Sequence, residues 1–189
     1  MATSQSLFGR MFRAAQLKPA LYEEVEADSS ATGQALIVVV LTSIAAGIGT
    51  GFTALSAGGT TQFFYGLLFG LAGSIAGWLV WALFAYMLGV SILKGPKTSS
   101  TWGELLRTMG FGSSPGVLRI FGFIPGFGSI IVVVASVWTL VATVVGIRQA
   151  LDFSTWRAIL TALIGWIAYT FLSLLVLGIA GGGSTPTSL

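Results

Sequence analysis

The sequence contains no cysteine and no histidine. The first absence excludes a disulfide framework and a thiolate metal site. Together the two remove the commonest metal ligands, the Ser-His and Cys-His nucleophile systems and the usual proton carrier near neutral pH. Charge is scarce as well, at 8% of the chain, nine basic and six acidic residues, where soluble domains carry roughly a quarter. Fifteen charges cannot cover the outside of a water-soluble fold of 189 residues, so lipid is expected to do that covering. The net charge of +3 comes from basic residues scattered at the ends of apolar runs. That pattern reads as membrane orientation, and nucleic-acid binding, which needs a clustered basic patch, is not expected.

What is present is apolar surface, with 54% hydrophobic residues, 26 glycines and a mean hydropathy of +0.91. Residues 1–34 hold seven of the fifteen charges, and no signal peptide is expected, because no apolar core with a small-residue cleavage site follows the first basic residues. Leu7, Phe8, Met11, Phe12 and Ala15 share one helical face with Arg10 and Arg13 elsewhere. Such an amphipathic helix lies on the membrane surface or packs on the cytoplasmic ends of the spans. Pro19 can open a second short helix, which carries Glu23, Glu24, Glu26 and Asp28, expected as a solvated face or a partner-docking surface.

The first span is expected at 35–54, uncharged and close to the roughly 20 residues that cross hydrocarbon. Residues 63–93 form one apolar run too long to cross upright. Gly66, Gly70, Gly73 and Gly77 recur in it at helical spacing, a double small-xxx-small stripe suited to close helix packing, either with a partner or within the same bundle. Lys94, Pro96 and Lys97 end the run. Thr101 and Glu104 have capping-box spacing, so a helix should begin at Trp102. Spans are also expected at 127–147 and 158–180, and residues 181–189 form a flexible polar tail.

Residues 106–124 are apolar enough to enter a membrane, yet Gly112, Pro115 and Gly116 break the helix at its middle and Pro125 turns the chain just past its end. Carbonyls freed by Pro115 then need partners from neighbouring helices, Ser113, Ser114 or water. Arg119 is a candidate intramembrane polar site. It either snorkels outward or pairs with carbonyls, or it lines a polar cavity or holds an anionic lipid head group. If this stretch crosses, with the N-terminus cytoplasmic, eight of the nine basic residues lie on the cytoplasmic side and only Arg119 on the other half; if it stays inside, Arg148 and Arg157 move outside. Five crossings fit the positive-inside rule better. The expected fold is an all-α integral membrane bundle of five transmembrane helices over 35–180, the third short and broken, preceded by an amphipathic cytoplasmic segment at 1–34.

From Thr101 to Trp156 the order TWGELLRTMGFGSSP, FIPGFG and VVGIRQALDFSTWRAI resembles the membrane domain of the Ypt-interacting protein (Yip) family in its bacterial form. The resemblance is close over 101–160 and looser over 10–180. It implies five spans in a prokaryotic cytoplasmic membrane, with the N-terminus cytoplasmic and the C-terminus outside. Eukaryotic members are associated with small Rab-type GTPases, but their Asp-Leu-Tyr-Gly-Pro signature has no counterpart: Pro19-Ala20-Leu21-Tyr22-Glu23 lacks the Asp and the Gly-Pro. The resemblance therefore does not carry GTPase binding to this chain, and it supplies no catalytic residues.

Arg119 with Ser and Thr hydroxyls falls short of an acid–base pair or metal site, so neither an enzyme nor a cofactor is expected. The first expectation for function is a scaffold, adaptor or membrane-organising factor that packs against other membrane proteins or itself within the bilayer. The broken third span motivates a transporter or channel component, and the small, uncharged exterior an accessory subunit of a larger membrane complex.

Overall fold

The computed structural model describes residues 6–56, 59–95 and 98–181; of the expected tail Gly181 is the last residue of a helix, and residues 182–189, together with Pro96 and Lys97, lie outside the described residues. Every regular element among them is helical. The chain runs α1 (Leu7–Ala15), α2 (Pro19–Ala27), α3 (Ala31–Ser56), α4 (Thr60–Met87), α5 (Trp102–Gly112), α6 (Gly128–Ala150) and α7 (Thr155–Gly181). A π turn, Leu88–Ile92, extends α4, and a 3-10 segment, Ser114–Phe123, follows α5.

Local chemistry sets the boundaries. Pro19 opens α2 at its first turn, where a missing N–H costs nothing. The Thr101 Oγ1 accepts from the Glu104 N–H at 3.3 Å, while the Glu104 carboxylate accepts from the Thr101 N–H at 3.0 Å, a complete capping box on α5. Pro115 ends α-helical geometry by removing the donor for the Phe111 carbonyl four residues earlier. The Ser114 Oγ replaces it, donating to that oxygen at 2.6 Å, and the Ser113 Oγ donates to the Gly110 carbonyl at 2.6 Å. Gly126, at φ +80°, makes the turn into α6.

Four helices are long and apolar enough to cross a membrane: Ala31–Gly49, Thr60–Ile92, Gly128–Ala150 and Thr155–Leu172. The stretch 106–124 is absent from that set because its break leaves an α-helix of 11 residues and a 3-10 segment of 10. These two halves still form a continuous rod through the bundle. Gly110 lies against Ala35, Gly116 against Thr42 and Gly122 against Gly49, so the rod runs parallel to α3. At its ends Arg107 donates to Thr32 at 3.5 Å and the Phe123 ring lies 5.2 Å from that of Phe52. Thr32 to Phe52 is about 30 Å of helix. Against α6 the rod is antiparallel, with Thr108 by Gly146, Gly112 by Thr143 and Gly122 by Val132. The 3-10 half helps it cover that distance, since it rises about 2.0 Å per residue against 1.5 Å in an α-helix.

Close approach depends on missing side chains. A Cβ on Gly49 would collide with the Arg119 carbonyl, and one on Gly128 with that of Gly122. Helix α4 returns antiparallel to α3, with Leu67 against Gly47 and Phe63 against Gly51, and reaches Leu151 at Gly89. Helix α7 is antiparallel to α4 in turn, held by the Trp81 indole donating to the Ala162 carbonyl at 3.3 Å. The core has two parts, one around Leu105, Met109, Ile147, Leu151 and Ala162, the other where α1 and α2 pack on α3 and Phe111.

Candidate functional site

Three features stand out: a cap formed by α1 and α2, an outward-facing stripe on α4, and a cavity beside the broken rod that holds Arg119. The cap is held by two arginines. Arg10, almost fully buried, donates to Glu24, Gln34 and Asp28, each at 2.9 Å, while Arg13 donates to the second Glu24 oxygen at 2.8 Å. Arg107 reaches from α5 to the end of α2, where its Nε donates to the Val25 carbonyl at 2.8 Å and its Nη2 to that of Glu26. A helix end leaves such carbonyls without partners, and a guanidinium is well shaped to take two of them. The Tyr22 hydroxyl donates to the Ala14 carbonyl at 3.1 Å, and Trp138 of α6 donates to that of Ala15 at 2.8 Å. Leu21 and Tyr22, the centre of the piece nearest to Asp-Leu-Tyr-Gly-Pro, are fully buried here.

Glu24 of α2 and Asp28 just beyond it are therefore ion-paired. Burial works against the Glu24 carboxylate, but hydrogen bonds from Arg13 and Arg10 outweigh it and hold its carboxyl below the usual range. The bond from Ser30, followed by that from Arg10, does the same for Asp28. Glu26 is the opposite case. Burial first, then the like charges of Glu104 and Asp152, push its carboxyl up to about 7. It shares a cleft of about 270 Å³ with Glu23, Glu104, Gln149 and Asp152.

The α4 stripe divides. Gly77 is buried, and a Cβ there would meet the Tyr169 hydroxyl of α7 at 2.7 Å. Gly66, Gly70 and Gly73 face outward, with nothing among the described residues within 4 Å of where a Cβ would stand. Phe64, Tyr65, Leu68 and Phe69 beside them are exposed as well. Only 11% of the most apolar part of α4 is buried against the rest of the molecule.

The third feature is a cavity of about 260 Å³ between α3, α4, the broken rod, α6 and α7. Arg119 lines it, along with Thr42, Ser43, Ser74, Ser113, Thr139, Thr143 and Tyr169 and the rings of Trp78, Trp81 and Trp166. Arg119 stands on the 3-10 segment and its Nε is buried without a hydrogen-bond partner. Of the other break residues, Gly112, Pro115 and Gly116 are buried inside the bundle, while Pro125 is exposed in the turn before α6. The Arg107 clamp and the three-way contact of Arg10 escaped sequence reasoning, which counted both only as cytoplasmic charges. The one local signal was a cation placed one turn inside a capped, otherwise apolar helix.

The model of the Yip1 domain matches residues 17–178. The chain belongs to the Yip1 domain family. As a Yip1 domain protein with four membrane-capable helices, it is an integral, multi-pass membrane protein. The match takes in α2 through most of α7, and thus the Arg107 clamp, the α4 stripe and the Arg119 cavity. No curated protein and no solved structure matches this Yip1 domain chain.

Proposed function

We propose that this Yip1 domain protein crosses the bilayer five times and acts without catalysis as a membrane scaffold or adaptor, docking a second copy or another membrane protein against the outward face of α4. The observation that carries the docking is the open stripe of Gly66, Gly70 and Gly73, which none of the described residues covers. Small residues on such a face let a partner backbone approach closely, where van der Waals contact substitutes for the hydrophobic effect that lipid removes. Five crossings are supported by connectivity. Helix α4 ends beside Leu151 and α6 begins beside Gly122, at the other end of α3, which favours a crossing by the chain between them. The amphipathic α1 then sits at the cytoplasmic surface, with Phe8 and Phe12 exposed toward lipid and Arg10 turned into the cap. The excess of basic residues at the cap end supports a cytoplasmic N-terminus and an outside C-terminus, and the missing Asp-Leu-Tyr-Gly-Pro piece supports a prokaryotic membrane and a role without GTPase binding.

The scaffold is favoured over a transporter because the helix break is closed by its own serines: Ser113 and Ser114 satisfy the Gly110 and Phe111 carbonyls. A discontinuous helix that serves a substrate leaves such groups open to it. Because the chain has no native cysteine, Gly70→Cys provides a clean probe. Oxidation in native membranes is expected to give a crosslinked dimer if the partner is a second copy, and chemical crosslinking with mass spectrometry identifies any other partner. Gly70→Ile and Gly73→Ile are expected to abolish the association while leaving the melting temperature nearly unchanged. Association that survives both substitutions would exclude this face.

A further inference from the structure

Among the described residues Arg119 has no counter-ion. All six acidic residues lie in α2, just beyond it, at the start of α5 or just after α6, at the end of the bundle where Arg107 and Asp152 stand. Arg119 lies at the level of Gly49, some 12 residues along the rod from Arg107, or about 18–24 Å away by helical rise. Among the described residues no hydrogen bond or ion pair holds its guanidinium, and its Nε is buried without a partner.

The hydroxyls around it do not take that role. Thr42 and Ser43 donate to the Val39 carbonyl, Ser74 to Gly70, Ser113 to Gly110 and Thr139 to Ala135, each back onto its own helix. The indoles of Trp78 and Trp81 are likewise committed, to the Leu106 and Ala162 carbonyls. Arg119 is thus a cation lining a pocket in which Thr42, Ser43, Ser74, Ser113, Thr139 and the Trp78 and Trp81 indoles already donate elsewhere. An unpaired guanidinium inside a membrane protein is costly, and its planar fork matches a phosphate or carboxylate bidentately.

We propose that this cavity is a binding site for an oxyanion, a phosphate or carboxylate held by Arg119, carried by the head group of an anionic lipid or free in water. Its volume of about 260 Å³ is below the ~300–1,000 Å³ of sites that enclose a whole small molecule, and it suits a head group or a small anion. Ser74 and Trp166 are both lining residues and exposed ones. The cavity therefore reaches the surface of the bundle, where an acyl chain can remain in lipid. The site stands whether or not α4 docks a partner.

The test is thermal unfolding of the purified full chain in a neutral detergent, followed by tryptophan fluorescence, with four arms: no addition, phosphatidylcholine, phosphatidylglycerol and inorganic phosphate. A rise of roughly 5–10 °C at about a hundredfold excess over Kd is expected with at least one anionic arm and not with phosphatidylcholine. A rise with phosphatidylglycerol alone assigns the lipid source, and a rise with inorganic phosphate assigns the free anion. Arg119→Gln should lose the rise, whereas Arg148→Gln, at an exposed site on α6, should keep it. No rise in either anionic arm, or an undiminished rise in Arg119→Gln, would overturn the site. Should Arg119→Gln not fold, Ser74→Phe, a surface change at the mouth, is read with the effective anion: loss of the rise supports the site and full retention overturns it.

Discussion

Arg107 joins the broken rod to the cap, since it satisfies the last carbonyls of α2 from a position buried in α5. Hydrogen bonds from a charged donor are worth about 1.5–3 kcal/mol each. Arg107→Met should therefore lower hydrogen-exchange protection of the α2 amides at least tenfold while leaving α6 and α7 unchanged. Glu26 supplies the pH dependence. Its carboxyl is raised to about 7 from an ordinary value of 4.5, so between these values the folded state holds a proton that the unfolded state has lost. Stability from this group is fully present below about pH 4.5 and lost as pH rises through about 7. Glu24 and Asp28, held below their ordinary range, act in the opposite sense and lose their contribution on further acidification. The protection factors of α2 should therefore fall between pH 5 and pH 8, and Glu26→Gln should flatten that fall. Gly49 and Gly66 form a matched pair on neighbouring helices. Gly49→Ala drives a methyl into the Arg119 backbone and should cost about 1–3 kcal/mol, whereas Gly66→Ala meets open space and should be neutral or slightly stabilising in a detergent melt. Equal melting temperatures for the two variants would contradict the register of the rod.

At the level of elements, the sequence made legible whatever a local rule determines. Long uncharged runs mark α3, α4, α6 and α7 because hydrocarbon requires about 20 apolar residues. The Thr101 and Glu104 spacing marks the start of α5, and Pro115 its end. Three properties were not legible, for one physical reason. In a membrane, protein-facing and lipid-facing surfaces are both apolar, so composition does not say which side of α4 is covered; the described residues cover Gly77 and leave Gly66, Gly70 and Gly73 open. The extension of the broken segment as a 3-10 rod follows from neighbours distant in sequence, α3 and α6, against which it packs. The convergence of Arg119 with hydroxyls from α3, α4 and α6 depends on helix rotation, which no spacing along one helix encodes. Helix α2 shows the same limit: its acidic run reads locally as solvated, yet Glu24 and Asp28 are paired with Arg10 from another helix.

For the whole molecule, the proposed topology stands on the alternation of directions: α3, the rod and α7 run one way, α4 and α6 the other. Family membership and four membrane-capable helices leave the fifth crossing as the proposal, which rests on connectivity: α4 ends at one end of α3 and α6 begins at the other. An even number of crossings would return the C-terminus to the side of the N-terminus and place Arg148 and Arg157 outside, against the positive-inside rule. The most direct measurement labels single cysteines with a membrane-impermeant maleimide in intact cells and again after permeabilisation. Phe127→Cys, at an exposed position before α6, and Ser154→Cys, at an exposed position after it, report opposite ends of one helix, and Gln16→Cys reports the cap. Five crossings predict that Phe127→Cys labels in intact cells and that Ser154→Cys and Gln16→Cys label only after permeabilisation. Labelling of Phe127→Cys from the same side as Gln16→Cys would contradict the topology and, with it, the broken third crossing.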